Sequence, residues 1–204
     1  MNKNMICAAL VYLFSAKLAF AVGDTANILS GLLHPILGFD HLIAMVAVGL
    51  LSIQIGGKHI LGLPLCFVLI LFIGALIGLL AIPIPQVEGV ISLSVIVLGI
   101  AIASQSRIGI WIAYPIVAIF AFFHGHAHGG EIPSLGNPTS YITGFLIASA
   151  ILHFFGIGIG TIARTKRIRS MIGSAFAGIG LHMVLFNQAL EKKLFSHPLA
   201  QNQN

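Results

Sequence analysis

Apolar runs near or above about 18 residues, the length that carries an α-helix across a bilayer, recur along this chain. Only 7% of its 204 residues are charged, too few to solvate a soluble domain. The mean hydropathy of +1.05 agrees. The expected fold class is all-α: a polytopic membrane helix bundle with about six transmembrane helices after an N-terminal signal peptide. The length accommodates one bundle and no separate soluble domain.

The first residues have the layout of a secretory leader. Lys3 supplies a positive start, Met5 to Phe14 an apolar stretch, and Ala19-Phe20-Ala21 a small-residue cleavage site. Residues 1–21 are therefore expected to be a signal peptide, with a six-helix transmembrane domain over 22–190 and a polar tail over 191–204. Six apolar segments follow the leader: Ile28 to Ile55 (interrupted by Pro35, Gly38 and Asp40), Ile60 to Ile82, Val87 to Ala103, Ile108 to Phe123, Tyr141 to Ala163, and Met171 to about Leu190.

Loop charges predict the orientation. With the mature N-terminus outside, the cytoplasmic loops carry Lys58, Arg107, Arg164, Lys166, Arg167 and Arg169 and no acidic residue. The outer segments carry Asp24, Glu88, Glu131 and Glu191, with Lys192 and Lys193 past the last helix. That distribution obeys the positive-inside rule. It implies a multi-pass protein of a bacterial inner membrane with both mature termini on the periplasmic side. It also accounts for the net charge of +5 without nucleic acid as a partner. The two cysteines, Cys7 and Cys66, form no CxxC pair and predict no disulfide.

Small residues mark helix faces suited to close packing in lipid, at Gly74-x-x-x-Gly78 and at Gly156, Gly158 and Gly160. A homo-oligomer is compatible with such surfaces.

Nine histidines in so apolar a chain call for a function, because ionisable groups at membrane depth are costly. Seven of them fall into three groups. In the first, His34 and Pro35 precede Gly38, Asp40, His41 and Met45; a helix from Asp40 puts His41 and Met45 on one face. Pro35 and Gly38 are expected to break the chain and fold His34 back towards Asp40 and His41. Two imidazoles and a carboxylate suit a borderline divalent ion such as nickel, cobalt or zinc. In the second group, His124, His126 and His128 are interleaved with Gly125, Gly129 and Gly130 and followed by Glu131. This reads as a flexible glycine-rich metal collector. The third group is His153 and His182, each about 18 Å into its helix at ~1.5 Å per residue, hence near the midplane and able to form a relay. His59 and His197 are read as loop and tail residues without a role.

The motifs His34-Pro35-x-x-Gly38-x-Asp40-His41-x-x-x-Met45 and Phe123-His124-Gly125-x-Ala127-His128-Gly129-x-Glu131 resemble the HupE/UreJ family of hydrogenase and urease accessory membrane proteins. The resemblance extends over essentially the whole mature chain. It implies a permease for nickel, with cobalt in some members, serving metalloenzyme maturation. It also implies that His34, Asp40 and His41 form one metal motif and His124, His128 and Glu131 another. The full set of expected metal contacts is His34, Asp40, His41, Met45, His124, His128, Glu131, His153 and His182. The expected partners are the lipid bilayer and a divalent metal ion, with no permanently bound cofactor and nickel or cobalt as cargo. No GxxxxGK[ST] motif is present to couple transport to ATP hydrolysis.

Two other classes compete. A membrane haem protein would use His153 and His182 as axial ligands, but leaves both outer motifs unexplained. An intramembrane hydrolase lacks HExxH, and Ser174 and His182 stand eight positions apart on one helix. The chain is therefore not expected to be an enzyme.

Overall fold

A computed structural model describes residues 27–106, 108–130, 132 and 137–195, with side chains through residue 186. The expected signal peptide, Arg107, Glu131, the side chains of Asn187 and Gln188, and the tail beyond residue 195 lie outside the described residues. Among those described, every regular element is a helix. They are α1 (Asn27–Leu37), then α2 (Phe39–Ile55), α3 (His59–Leu79), α4 (Val87–Ala103), α5 (Ile110–Gly130), α6 (Pro138–Ile162) and α7 (Lys166–Phe195).

Helices are the expected result in lipid, where backbone groups must find partners within their own segment. The four helices α3, α5, α6 and the Lys166–Phe186 part of α7 are long and apolar enough to span a membrane. A fifth span follows if α1 and α2, bent by 79° at Gly38, count as one broken segment. The 17-residue α4 is apolar but shorter. The expectation of six is met only with both of these included. Leu61, Leu65, Leu69, Trp111, Ile151, Phe154 and Phe155 are exposed, an apolar surface that water would not tolerate and acyl chains would.

The core sits around α2. Every residue from Ile43 to Ser52 is buried, as befits a helix apolar on all sides. α2 packs on α6, α4 and α3, while α3 pairs mainly with α5 and α4 with α7. The seams are made of glycine. A Cβ on Gly125 or Gly129 would collide with the α3 backbone at Leu71 or Ala75, and one on Gly74 or Gly78 with the α5 carbonyls of Phe122 or His126. Gly49 and Gly156 seat α2 on α6, and Gly99 and Gly173 seat α4 on α7. Backbones that approach this closely gain the dispersion contacts that hold helices together in lipid.

The bundle has two chemically different ends. Lys58, Arg164, Lys166, Arg167 and Arg169 gather at one, where Ser170 donates to the Ala103 carbonyl at 2.8 Å and the Arg169 Nε to the Ala163 carbonyl at 2.8 Å. The opposite end carries the break between α1 and α2 and the ring contacts of His34, His41 and His128.

Some boundaries differ from the sequence expectation. α5 continues to Gly130 where Phe123 was expected to end it, because the glycines that should loosen the helix are what fit it against α3. α7 runs to Phe195, beyond Leu190, so the first residues of the expected tail are helical.

Candidate metal centre

The chain breaks at Gly38, not at Pro35. Pro35 is buried within α1, and Gly38 is the extended residue (φ −81°, ψ 106°) ahead of α2. A Cβ on Gly38 would stand 3.3 Å from the His41 Nδ1 and 3.5 Å from the Asp40 Oδ1. The bend brings His34 back over the first turn of α2, with ring centroids of His34 and His41 6.1 Å apart. α5 supplies the third ring: His128 stands 4.5 Å from His34 and 4.3 Å from His41. One ligand nitrogen from each of His34, His41 and His128 falls within 4.8 Å of the other two. His41 and His128 are buried and His34 partly so. Three imidazoles this close, from three helices, can converge on one divalent ion.

His124, one turn below His128 on α5, continues inward. Its ring is 5.0 Å from His41 and 5.7 Å from Phe67 of α3. Phe67 in turn stands 4.9 Å from His153 of α6. His124, His153 and Phe67 are all fully buried. The result is a column running from His34, His41 and His128 through His124 and past the Phe67 ring to His153.

Hydrogen bonds fix the proton on these rings. The His124 Nδ1–H donates to the Phe120 carbonyl at 2.8 Å, and the His153 Nδ1–H to the Ser149 carbonyl at 2.5 Å. A carbonyl can only accept, so in the neutral ring the lone pair resides on Nε2. The His41 Nδ1–H likewise donates to the Asp40 Oδ1, at 2.6 Å. The Nε2 atoms of His41, His124 and His153 are buried and have no hydrogen-bond partner among the described residues. Buried polar atoms left in this state are rare. An orienting bond on one ring nitrogen with the other turned inward is the arrangement of a metal-ligating histidine.

Asp40 has a different place from the one its spacing suggested. Its Oδ1 also accepts from the His41 backbone amide at 2.9 Å, and Asp40 is not among the three residues whose ligand atoms converge. Gly38, not Asp40, is the N-cap of α2, and no side chain caps that helix. Met45 lies one turn below His41, fully buried in the core.

His182 is not paired with His153. It lines a cavity of about 260 Å³ with Phe39, Asp40, Ser92, Met183 and Phe186, between α2, α4 and α7. His182 is thus level with Asp40. The His153 backbone packs on Gly49, nine residues and roughly 13 Å further along α2. Counting rise along a single helix placed both at one depth; the packing of α7 on α4 separates them. The cavity beside His153 has no lining residue in common with that of His182, so a haem bound between the two is not favoured. His126 faces away from the column and donates from Nε2 to the Ile82 carbonyl at 2.8 Å, tying α5 to the α3–α4 turn.

Sequence reasoning missed Phe67, which carries no signal within an apolar run. It also gave no role to His59, which bonds Tyr114 across the basic end at 3.0 Å.

No solved structure matches this chain. A relative, "Protein HupE" of Rhizobium leguminosarum bv. viciae, is 43% identical over 160 residues, which cover 77% of this chain and 84% of the relative. The family model described as HupE / UreJ protein matches residues 8–183, a stretch that includes all the histidines of the column and His182. The chain belongs to the HupE/UreJ family.

Proposed function

We propose that this chain is a permease that admits a divalent transition metal, nickel foremost and cobalt as its nearest competitor, for the maturation of a hydrogenase or urease. The observation that carries the reading is the set of buried Nε2 atoms on His41, His124 and His153, each with Nδ1 committed as a donor and Nε2 without a partner. His34, His41 and His128 are the receiving site. His124 and His153 pass the ion inward, with Phe67 dividing the outer step from the inner one. The basic end faces the cytoplasm, in keeping with its lysine and arginine cluster.

Neutral imidazoles suit this work better than thiolates. Conduction requires binding strong enough to replace the ion's water and weak enough to let it leave. Family membership supports the accessory role, and a multi-pass helical chain supports transport across the bilayer.

The test is radiolabelled nickel accumulation in cells expressing the chain, with cobalt and zinc as competitors. Expression should raise accumulation, cobalt should compete better than zinc, and His41→Ala or His128→Ala should remove the gain while the protein still reaches the membrane. Accumulation equal to that of cells lacking the chain would end the permease reading.

A further inference from the structure

The histidine column stops at His153, yet the bundle continues towards its basic end, where a cavity of about 470 Å³ opens. Gln54, His59, Ser106 and Leu51 are among its walls. Leu51 and Gln54 lie two and five residues beyond Gly49, against which His153 packs, or roughly 3–8 Å further along α2. The cavity therefore begins about where the column ends.

Its polar groups are held in place. The Gln54 Nε2 donates to the Ala101 carbonyl at 3.4 Å and the Ser106 carbonyl at 3.3 Å. Two carbonyl acceptors settle which end of the amide is nitrogen, and the Oε1 is left buried without a hydrogen-bond partner among the described residues. The His59 ring is fixed through its Nδ1 by the Tyr114 hydroxyl at 3.0 Å. Tyr114 reaches that position across Gly62, where a Cβ would fall 2.5 Å from the hydroxyl oxygen. The Tyr114 hydroxyl can donate or accept; as acceptor it holds the proton on Nδ1 and leaves the lone pair on the His59 Nε2, the arrangement of the column.

We infer that this cavity is a release site for divalent transition-metal cargo, in which the His59 Nε2 and the Gln54 Oε1 take the ion from His153 and surrender it at the basic end. Tyr114 is a positioning residue for His59. One imidazole nitrogen and one amide oxygen, both neutral, form a donor set that nickel and cobalt accept without strong retention. Lys58, exposed beside His59, adds a positive charge that favours departure.

The inference rests on the permease reading, and cobalt binding separates the two. Purified full-length chain in detergent is titrated with Co2+ and followed by visible absorption. Two classes of site are expected. His41→Ala should remove the tighter class alone and His59→Ala the weaker class alone. Tyr114→Phe, which conserves volume, should loosen the weaker class by about 10-fold or more, as loss of an orienting partner does. It carries the test if His59→Ala fails to fold. A weaker class unchanged in Tyr114→Phe, or a cobalt titration of folded His59→Ala identical to that of the parent, overturns the release site. In cells, His59→Ala should lower nickel accumulation with the tighter class intact. Should the parent chain accumulate no nickel while both cobalt classes persist, the permease reading fails and the inner site stands as a binding site.

Discussion

Replacing Asp40 with asparagine separates a carboxylate that binds metal from one that aims a histidine. In this structure the Asp40 Oδ1 takes two bonds from His41, one from Nδ1 at 2.6 Å and one from the backbone amide at 2.9 Å. Asparagine can accept the same two bonds through its own oxygen, but without the charge that makes such bonds about twice as strong. It can also turn its NH2 towards Nδ1, and then the ring proton moves to Nε2 and blocks the receiving site. Both routes loosen the aim of one ligand out of three. Loss of an orienting partner costs about 10- to 100-fold in metal affinity, or roughly 1.4–2.8 kcal/mol.

The assay is competition between the purified chain and a chelator for Ni2+, run beside His41→Ala and His128→Ala. Asp40→Asn should retain the nickel stoichiometry and lose affinity within that range, whereas the histidine variants lose the site. Uptake by cells should fall with the affinity. If Asp40→Asn abolishes binding as completely as His128→Ala, the carboxylate is a direct ligand and its assignment as the group that aims His41 is wrong. An affinity equal to that of the parent would remove Asp40 from the centre altogether.

His153→Ala should leave nickel binding at the receiving site intact and cut uptake by roughly 10-fold, equivalent to about 1.4 kcal/mol on the barrier, as read by parallel binding and uptake measurements. His182→Ala should leave uptake closer to the parent than His153→Ala does, since its cavity shares no lining residue with the one beside His153; the reverse order would place His182 on the route. Gly125→Ala should destabilise the purified chain by about 1–3 kcal/mol through overpacking against Leu71, and Gly158→Ala, with open space around it, should not; thermal melting in detergent compares them.

The helices were legible in the sequence because apolar length alone limits what a segment can do in a bilayer. Val87–Ala103 has the same bounds by either route. The end of α5 was not legible, since glycine costs about 1 kcal/mol in a helix on intrinsic grounds and only the facing α3 backbone reveals what offsets it. Within the centre, the convergence of His34, His41 and His128 could be read from motif spacing plus the outer placement of both segments. Asp40 could be recognised as part of that motif, but its hydrogen-bonding direction could not. His182 could be given a depth along its own helix but not a neighbour. Gln54, a polar residue closing an otherwise apolar stretch, was the one available sign of the inner cavity. Tyr114 and Gly62 become intelligible only once His59 is seen beside them.

The repeated His-Gly doublet on α5 joins the packing to the chemistry. Successive helical residues are about 100° apart, so when Gly125 and Gly129 face α3, His124 and His128 are turned to another side. That side is the one occupied by His41, at 5.0 and 4.3 Å from the two rings. The azimuth of both histidines is thus set by a seam of glycine backbone, and the four-residue spacing keeps seam and column in register over a full turn. Any residue larger than glycine at 125 must push α5 off α3 or rotate it. Either movement displaces His124 and His128 together with respect to His41. Seam and site are in this sense one structure, which is why glycine at these positions is better understood as part of the metal centre than as a flexible loop around it.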